Sequence, residues 1–372
     1  MFRGGRVDRP FLWESVFLAE AVGRWRGEGL PADADAYAHL GFDRLARGGI
    51  NIGFDPPLSE RIIADEGASE LLEDEAGGVL RRLKNPTCWG GTTAWVQYRL
   101  RDRASWKLLK QRLDPGSPRR LGSWQGFAEA LPSTPSIRGH SDGFSGSCAI
   151  EDGLPTLVTV QGPTYWLIEA AGFSHAALML HDEPQLVEEI YEHFTWFITC
   201  QMQAVFARRV PDAVFLDEEG GVTGGPFMSP RMYRTLVVPR LRQIAELCLG
   251  AGVVLVFVES GGDVTLLTPL WKEAGINGLL PLDVGAGVDP ISLRREHRDL
   301  ALIGGIDRRV LPTSREQIQR EITEHARVLL REGRCIPSID AHGAVGADVS
   351  FDNIRFYADA LRKEAQQAMG AD

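Results

Sequence analysis

From Leu154 to the C-terminus, short apolar runs alternate with longer amphipathic segments. The runs are LPTLVTVQG, DAVFLDEEG, GVVLVFVESGG, INGLLPLDV, LALIGGID and RCIPSIDAHG. Each is the length of a buried strand and is bounded by turn residues. Between them lie EPQLVEEIYEHFTWFITCQMQAVFARR, PRMYRTLVVPRLRQIAELCLGAG, DVTLLTPLWKEAG and SREQIQREITEHARVLLREG, apolar at three-to-four spacing and therefore helical. In the last of these, Ser314 with Gln317 fits a capping box, and Gly333 stands where a C-terminal cap belongs. Strand and helix in repeated alternation predict a parallel sheet. The short, similar strands and the lack of a dinucleotide fingerprint favour a closed (β/α)8 TIM-type barrel over an open doubly wound sheet.

The first third of the chain has another rhythm. GGVLRRL and GGTTAWVQYRL carry alternating, β-branched or aromatic positions between turns, and predict a small antiparallel meander followed by the helix ASWKLLKQRL. A helical stretch and GINIGFDPP precede it, and DPGSPRRLG closes it. The expected organisation is one domain over 1–372. Residues 1–120 supply an N-terminal helical and antiparallel β embellishment with the first barrel elements, and 121–372 supply the main barrel repeats.

Composition narrows the function. The chain has 372 residues, is 44% hydrophobic and carries a net charge of −10. Such a chain repels nucleic acid and anionic lipid on average, so neither is expected as a partner. No apolar run approaches ~18 residues, the opening MFRGGRVDRP has no apolar signal core, and five scattered cysteines without a C-x-x-C fit reduced thiols. These features predict a cytoplasmic protein.

In a parallel barrel the chemistry sits at the C-terminal ends of the strands. Those ends read Gln161 to Tyr165, Asp217-Glu218-Glu219, Glu259-Ser260, Asp283, Asp307 and Asp340-Ala341-His342. So many carboxylates need arginines, a cation, a cationic ligand or held protons to offset them. The candidate catalytic groups are Glu218, Glu219, Glu259 and His342. Candidate substrate contacts are Arg138, Gln161, Tyr165, Ser260, Asp283, Asp307 and Asp340.

The order of these ends, with GGRVDRPFLWE, GLPTLVTVQGPTYWL, LDEEGGVTGGPFMSP, the run from AGINGLLPLDV to LALIGGIDRRVL, and IPSIDAHGAVGADVSFDNIRFY, resembles the uroporphyrinogen decarboxylase superfamily. The resemblance implies a (β/α)8 barrel and either decarboxylation or methyl transfer to a corrinoid or thiol. Thiol- and corrinoid-linked members carry a His-x-Cys-Gly zinc motif, where this chain has Val258, Glu259, Ser260 and Gly261. The sulfur-rich zinc site is therefore not expected, and Glu259, Asp340 and His342 remain as an oxygen–nitrogen alternative. The decarboxylase's Gln-Ala-Gly-Arg-Tyr run is missing, although Tyr165 and His342-Gly343 match. The leading expectation is demethylation of a small methylated substrate, with the corrinoid on a separate protein because no Asp-x-His-x-x-Gly occurs. Decarboxylation of uroporphyrinogen or a related acid, and a non-catalytic binding barrel, are the alternatives. A homodimer is the assembly the resemblance suggests.

Overall fold

The computed structural model describes residues 10–14, 17–84, 93–117, 120, 154–222, 224–340 and 345–369. The chain begins with two helices, Ala19–Glu28 and Ala36–Leu40, then β1 (Ala46–Gly49). The expected meander follows as β2 (Arg61–Asp65), β3 (Ser69–Glu73), β4 (Val79–Leu83) and β5 (Thr93–Gln97), an antiparallel four-stranded sheet. The helix Arg103–Gln111 comes next, started by a capping box between Asp102 and Ser105. Among the described residues the barrel part continues with β6 (Thr156–Gln161), β7 (Ala213–Asp217), the small β8 (Gly221–Val222) and β9 (Gly225–Pro226), β10 (Leu255–Glu259), β11 (Gly278–Leu282), β12 (Ala301–Gly304) and β13 (Cys335–Ile336).

All six strands read from the alternating rhythm are present. With β1 they form one sheet in the order β1-β6-β7-β10-β11-β12-β13. Every pairing in it is parallel. The extended segment 10–14 reaches both ends of this order. Leu12 N–H donates to Asp43 just before β1, while Glu14 accepts from Ile339 N–H beyond β13. Trp13 fills the barrel interior with Leu157, Phe215, Phe257, Leu280, Ile303 and Ile336. The result is a TIM-type barrel.

Strand parity sorts the side chains. Odd positions on β6, β7 and β10 (Leu157, Phe215, Leu255, Phe257) belong to the interior cluster. Even positions (Val158, Val160, Val214, Leu216, Val256, Val258) pack outward against helices such as Pro184–Phe206, which contributes Leu186, Ile190, Phe194 and Phe197. The predicted helix Ser314–Gly333 forms, with Ser314 capping Gln317 N–H and Gly333 ending it. Its middle turn, Ile322–Ala326, is π-helical, a feature no pattern announced. The segment Pro230–Gly252 splits into Pro230–Leu236 and Val238–Ala251, because Pro239 cannot continue the ladder of the first helix.

Candidate functional site

The polar cluster is built by three neighbouring strands that each end on one polar residue. Gln161 pairs in register with Asp217, and Asp217 with Glu259. All three are odd-numbered and continue the inward parity of Leu157, Phe215 and Phe257. They therefore face the lumen side by side at the C-terminal end of the barrel, with backbones about 4.8 Å apart. The helix Pro163–Ala171 adds Tyr165 and Glu169 beside them. Gln161 Nε2 donates to Glu169 Oε2 at 2.5 Å.

The electrostatics follow from packing acids together out of water. Burial raises the Asp217 carboxyl well above the usual range, and Glu259, Glu219 and Glu169 push it further. Neighbouring carboxylates cannot all ionise cheaply, so Asp217 is held toward its protonated form. The Tyr165 hydroxyl is raised by burial and by the charges of Asp217, Glu169, Glu219 and Glu259. Arg47 on β1, the strand flanking β6, has its guanidinium carbon 5.9 Å from the centre of the Phe215 ring. Burial lowers it to about 10, against the opposing pull of Glu259.

Glu218 does not face this cluster. Parity turns it outward, and it is fully buried behind the lumen wall. Its Oε2 accepts from Thr164 N–H at 3.1 Å, and Tyr233 donates to its Oε1 at 3.3 Å. Asp217, not Glu218, therefore joins the lumen cluster, and Glu218 accepts at a helix N-terminus instead. Ser260 is also committed elsewhere. Its hydroxyl accepts from Gly221 N–H at 3.0 Å and donates to Gly261 O at 3.1 Å, tying two loops together.

The acids on the later strands hold backbone amides of neighbouring loops. Asp283 accepts from Gly262 N–H and Ala286 N–H, both at 2.9 Å. Asp340 accepts from Gly285 N–H at 2.7 Å and Arg308 N–H at 3.0 Å. Burial raises the Asp340 carboxyl, with those two amides pulling the other way. Asp307 is ion-paired to Arg309 at 2.7 Å, which keeps its carboxyl low. Arg138 and His342 lie outside the described residues. So does part of the proposed oxygen–nitrogen metal set. Among the described residues, no group of three or more His, Cys, Asp or Glu side chains is placed to hold a metal ion. Val258 lies in the outer layer and the Ser260 hydroxyl is engaged, so the two positions that would carry zinc ligands do not fit zinc.

Sequence reasoning left Asp217, Glu169 and Arg47 out of the site. Aligning the strands TLVTVQ, AVFLD and LVFVE by their last residue would have found Asp217. Glu169 and Arg47 gave no comparable signal, since one sits on a helix and the other in a glycine-rich strand, ARGG.

A parallel barrel with an acidic, proton-holding cluster at the C-terminal strand ends is the architecture of a barrel enzyme. The uroporphyrinogen decarboxylase (URO-D) family model matches residues 147–364, and the chain belongs to that family. Among solved structures, a methyltransferase from Methanosarcina mazei is similar over 97% of this chain and 96% of its own, with TM-score 0.58 and 13% identity. At that identity the likeness supports the fold alone. A putative vitamin-B12 independent methionine synthase from Listeria monocytogenes aligns over 98% of each chain at 11% identity, with TM-score 0.39. No curated protein matches the chain. Among the described residues no helix is long and apolar enough to cross a membrane.

Proposed function

We propose that this URO-D family protein demethylates a small methylated substrate and passes the methyl group to a corrinoid or thiol acceptor. The observation that carries the reading is the pair Asp217 and Glu259, adjacent in register, lumen-facing, with Asp217 held toward its protonated form. A methyl ether is the simplest substrate to consider. The acceptor's nucleophile forms a bond to the methyl carbon, the C–O bond breaks, and the oxygen leaves with the electron pair. Asp217 gives its proton to that oxygen and ends as carboxylate, so the alcohol departs neutral. Arg47 offsets the new charge across the lumen, and Tyr165 and Gln161 orient the substrate. A corrinoid, carried by a partner protein, would supply the nucleophile, and no residue of this chain is assigned to bind it.

A second reading is favoured by Arg47. A guanidinium in the lumen suits a substrate carboxylate, and loss of CO2 leaves a carbanion that the Asp217 proton would quench. One assay separates the two. The protein is incubated with a corrinoid protein or a thiol and a panel of O-, N- and S-methylated compounds, and in parallel with uroporphyrinogen and smaller 13C-carboxyl acids. Methyl transfer abolished by Asp217→Asn supports the first reading. Release of 13CO2 without methyl transfer replaces it with the second.

A further inference from the structure

Glu218 accepts from donors on two helices, which two more helices back up. Thr164 N–H reaches Oε2 at 3.1 Å, and the Thr164 hydroxyl adds a second bond. Tyr233 O–H reaches Oε1 at 3.3 Å. Behind these, Trp271 Nε1–H donates to the Tyr233 oxygen at 2.8 Å, and Tyr191 O–H lies 3.5 Å from the Thr164 hydroxyl. An indole N–H and a backbone N–H only donate, so the Tyr233 oxygen accepts from Trp271 and Glu218 Oε2 accepts from Thr164, and an ionised Glu218 takes the Tyr233 proton at Oε1. Protonating Glu218 turns one of its oxygens into a donor, and the hydroxyl facing it must then turn round and accept. Gly162 completes the clamp. Its missing Cβ is the space in which the carboxylate lies, since a Cβ there would stand 3.0 Å from Glu218 Cβ and Cδ, with Oε2 closer still.

The clamped turn is Gly162-Pro163-Thr164-Tyr165, and Tyr165 is the residue that this turn presents to the lumen acids. We propose that Glu218 is a positioning residue: by pinning the first turn of the helix Pro163–Ala171 from behind the barrel wall, its carboxylate fixes Tyr165 against Asp217 and Glu259. The groups facing it are Thr164, Tyr191, Tyr233 and, through their charge, Asp217 and Glu219. Burial pushes the Glu218 carboxyl up to about 7 despite its three donors. The clamp is therefore complete above neutral pH and loosens as pH falls through that value. The inference rests on the lumen being the reactive site, but its test involves no turnover, so a failure to find methyl transfer leaves it standing.

The test is 19F NMR of the full chain labelled with 3-fluorotyrosine. The chain has six tyrosines, and the Tyr165 and Tyr233 resonances are assigned by Tyr→Phe variants. Tyr233 in the outer layer and Tyr165 in the lumen are expected to show one common transition with a midpoint near 7. Asp217→Asn should keep that common transition, and Glu218→Gln should abolish it at both tyrosines. A Tyr165 resonance that shares no transition with Tyr233, or that keeps it in Glu218→Gln, overturns the proposal. Should Glu218→Gln not fold, Tyr233→Phe serves in its place. Removing that hydrogen bond should move the Tyr165 midpoint upward, and an unmoved midpoint overturns the proposal equally.

Discussion

Gly162→Ala isolates the close approach on which the back wall of the site depends. Gly162 has φ −79°, a value open to any residue, so alanine brings no backbone strain. What it brings is a methyl group against a buried carboxylate, 3.0 Å from its Cβ and Cδ. Forcing an extra carbon into a packed interior costs about 1–3 kcal/mol. Pushing Glu218 off Thr164 N–H loses a hydrogen bond to a charged acceptor, about 1.5–3 kcal/mol more. The sum is about 2.5–6 kcal/mol. With an unfolding entropy of about 2.1 cal/mol/K per residue over this chain, that lowers Tm by roughly 3–8 °C. Calorimetry and urea denaturation of the variant measure it directly. The cause is checked in a Glu218→Ala background, where the Cδ and oxygen contacts are gone and one contact to Cβ remains. There the same substitution should cost only about 1–2 kcal/mol. A loss below about 1 kcal/mol in the parent, or equal losses in both backgrounds, would refute the steric argument.

Asp217→Asn should leave the fold intact and lower turnover of an oxygen-leaving substrate by about 10²–10⁴-fold, the usual worth of a placed proton donor, as read by kcat on whichever methylated compound is accepted. Stability should also respond to pH through Glu218. Its folded value of about 7 lies above the ordinary 4.5, so between those values the native state binds the extra proton. Stability is then expected to fall as pH rises through that window, by up to about 3 kcal/mol, and Glu218→Gln should flatten the slope of urea midpoints measured from pH 5 to 8. Trp13→Ala empties the barrel interior where the segment 10–14 joins the ends of the sheet, and should cost about 3–5 kcal/mol in denaturation, with a larger loss than any exposed aromatic such as Trp196.

The strand-and-helix rhythm was legible because the barrel strands from β6 onward are largely buried and read as apolar runs, while the helices keep their own period. That rhythm, with the family resemblance, predicted the barrel, and the turn-bounded segments of the first third predicted a small meander and the helix after it; the structure contains all three, the meander as Arg61–Gln97. The sequence also pointed to the C-terminal strand ends, where Gln161, Glu259, Tyr165 and Glu219 gather. It could not decide which of Asp217 and Glu218 enters the lumen. Adjacent residues on a strand face opposite sides, and only the register of β6, β7 and β10 fixes which parity is inward. Nor could it show that Ser260, Asp283 and Asp340 satisfy backbone amides of neighbouring loops, because those amides come from residues up to 55 positions away. Arg47 entered the site for the same reason, carried there by a strand more than a hundred residues before its partner. Local pattern thus determined the elements and the end of the barrel at which the polar residues cluster. The strand register of the sheet alone decided which carboxylates meet, and so that Asp217 is the one pushed toward its protonated form.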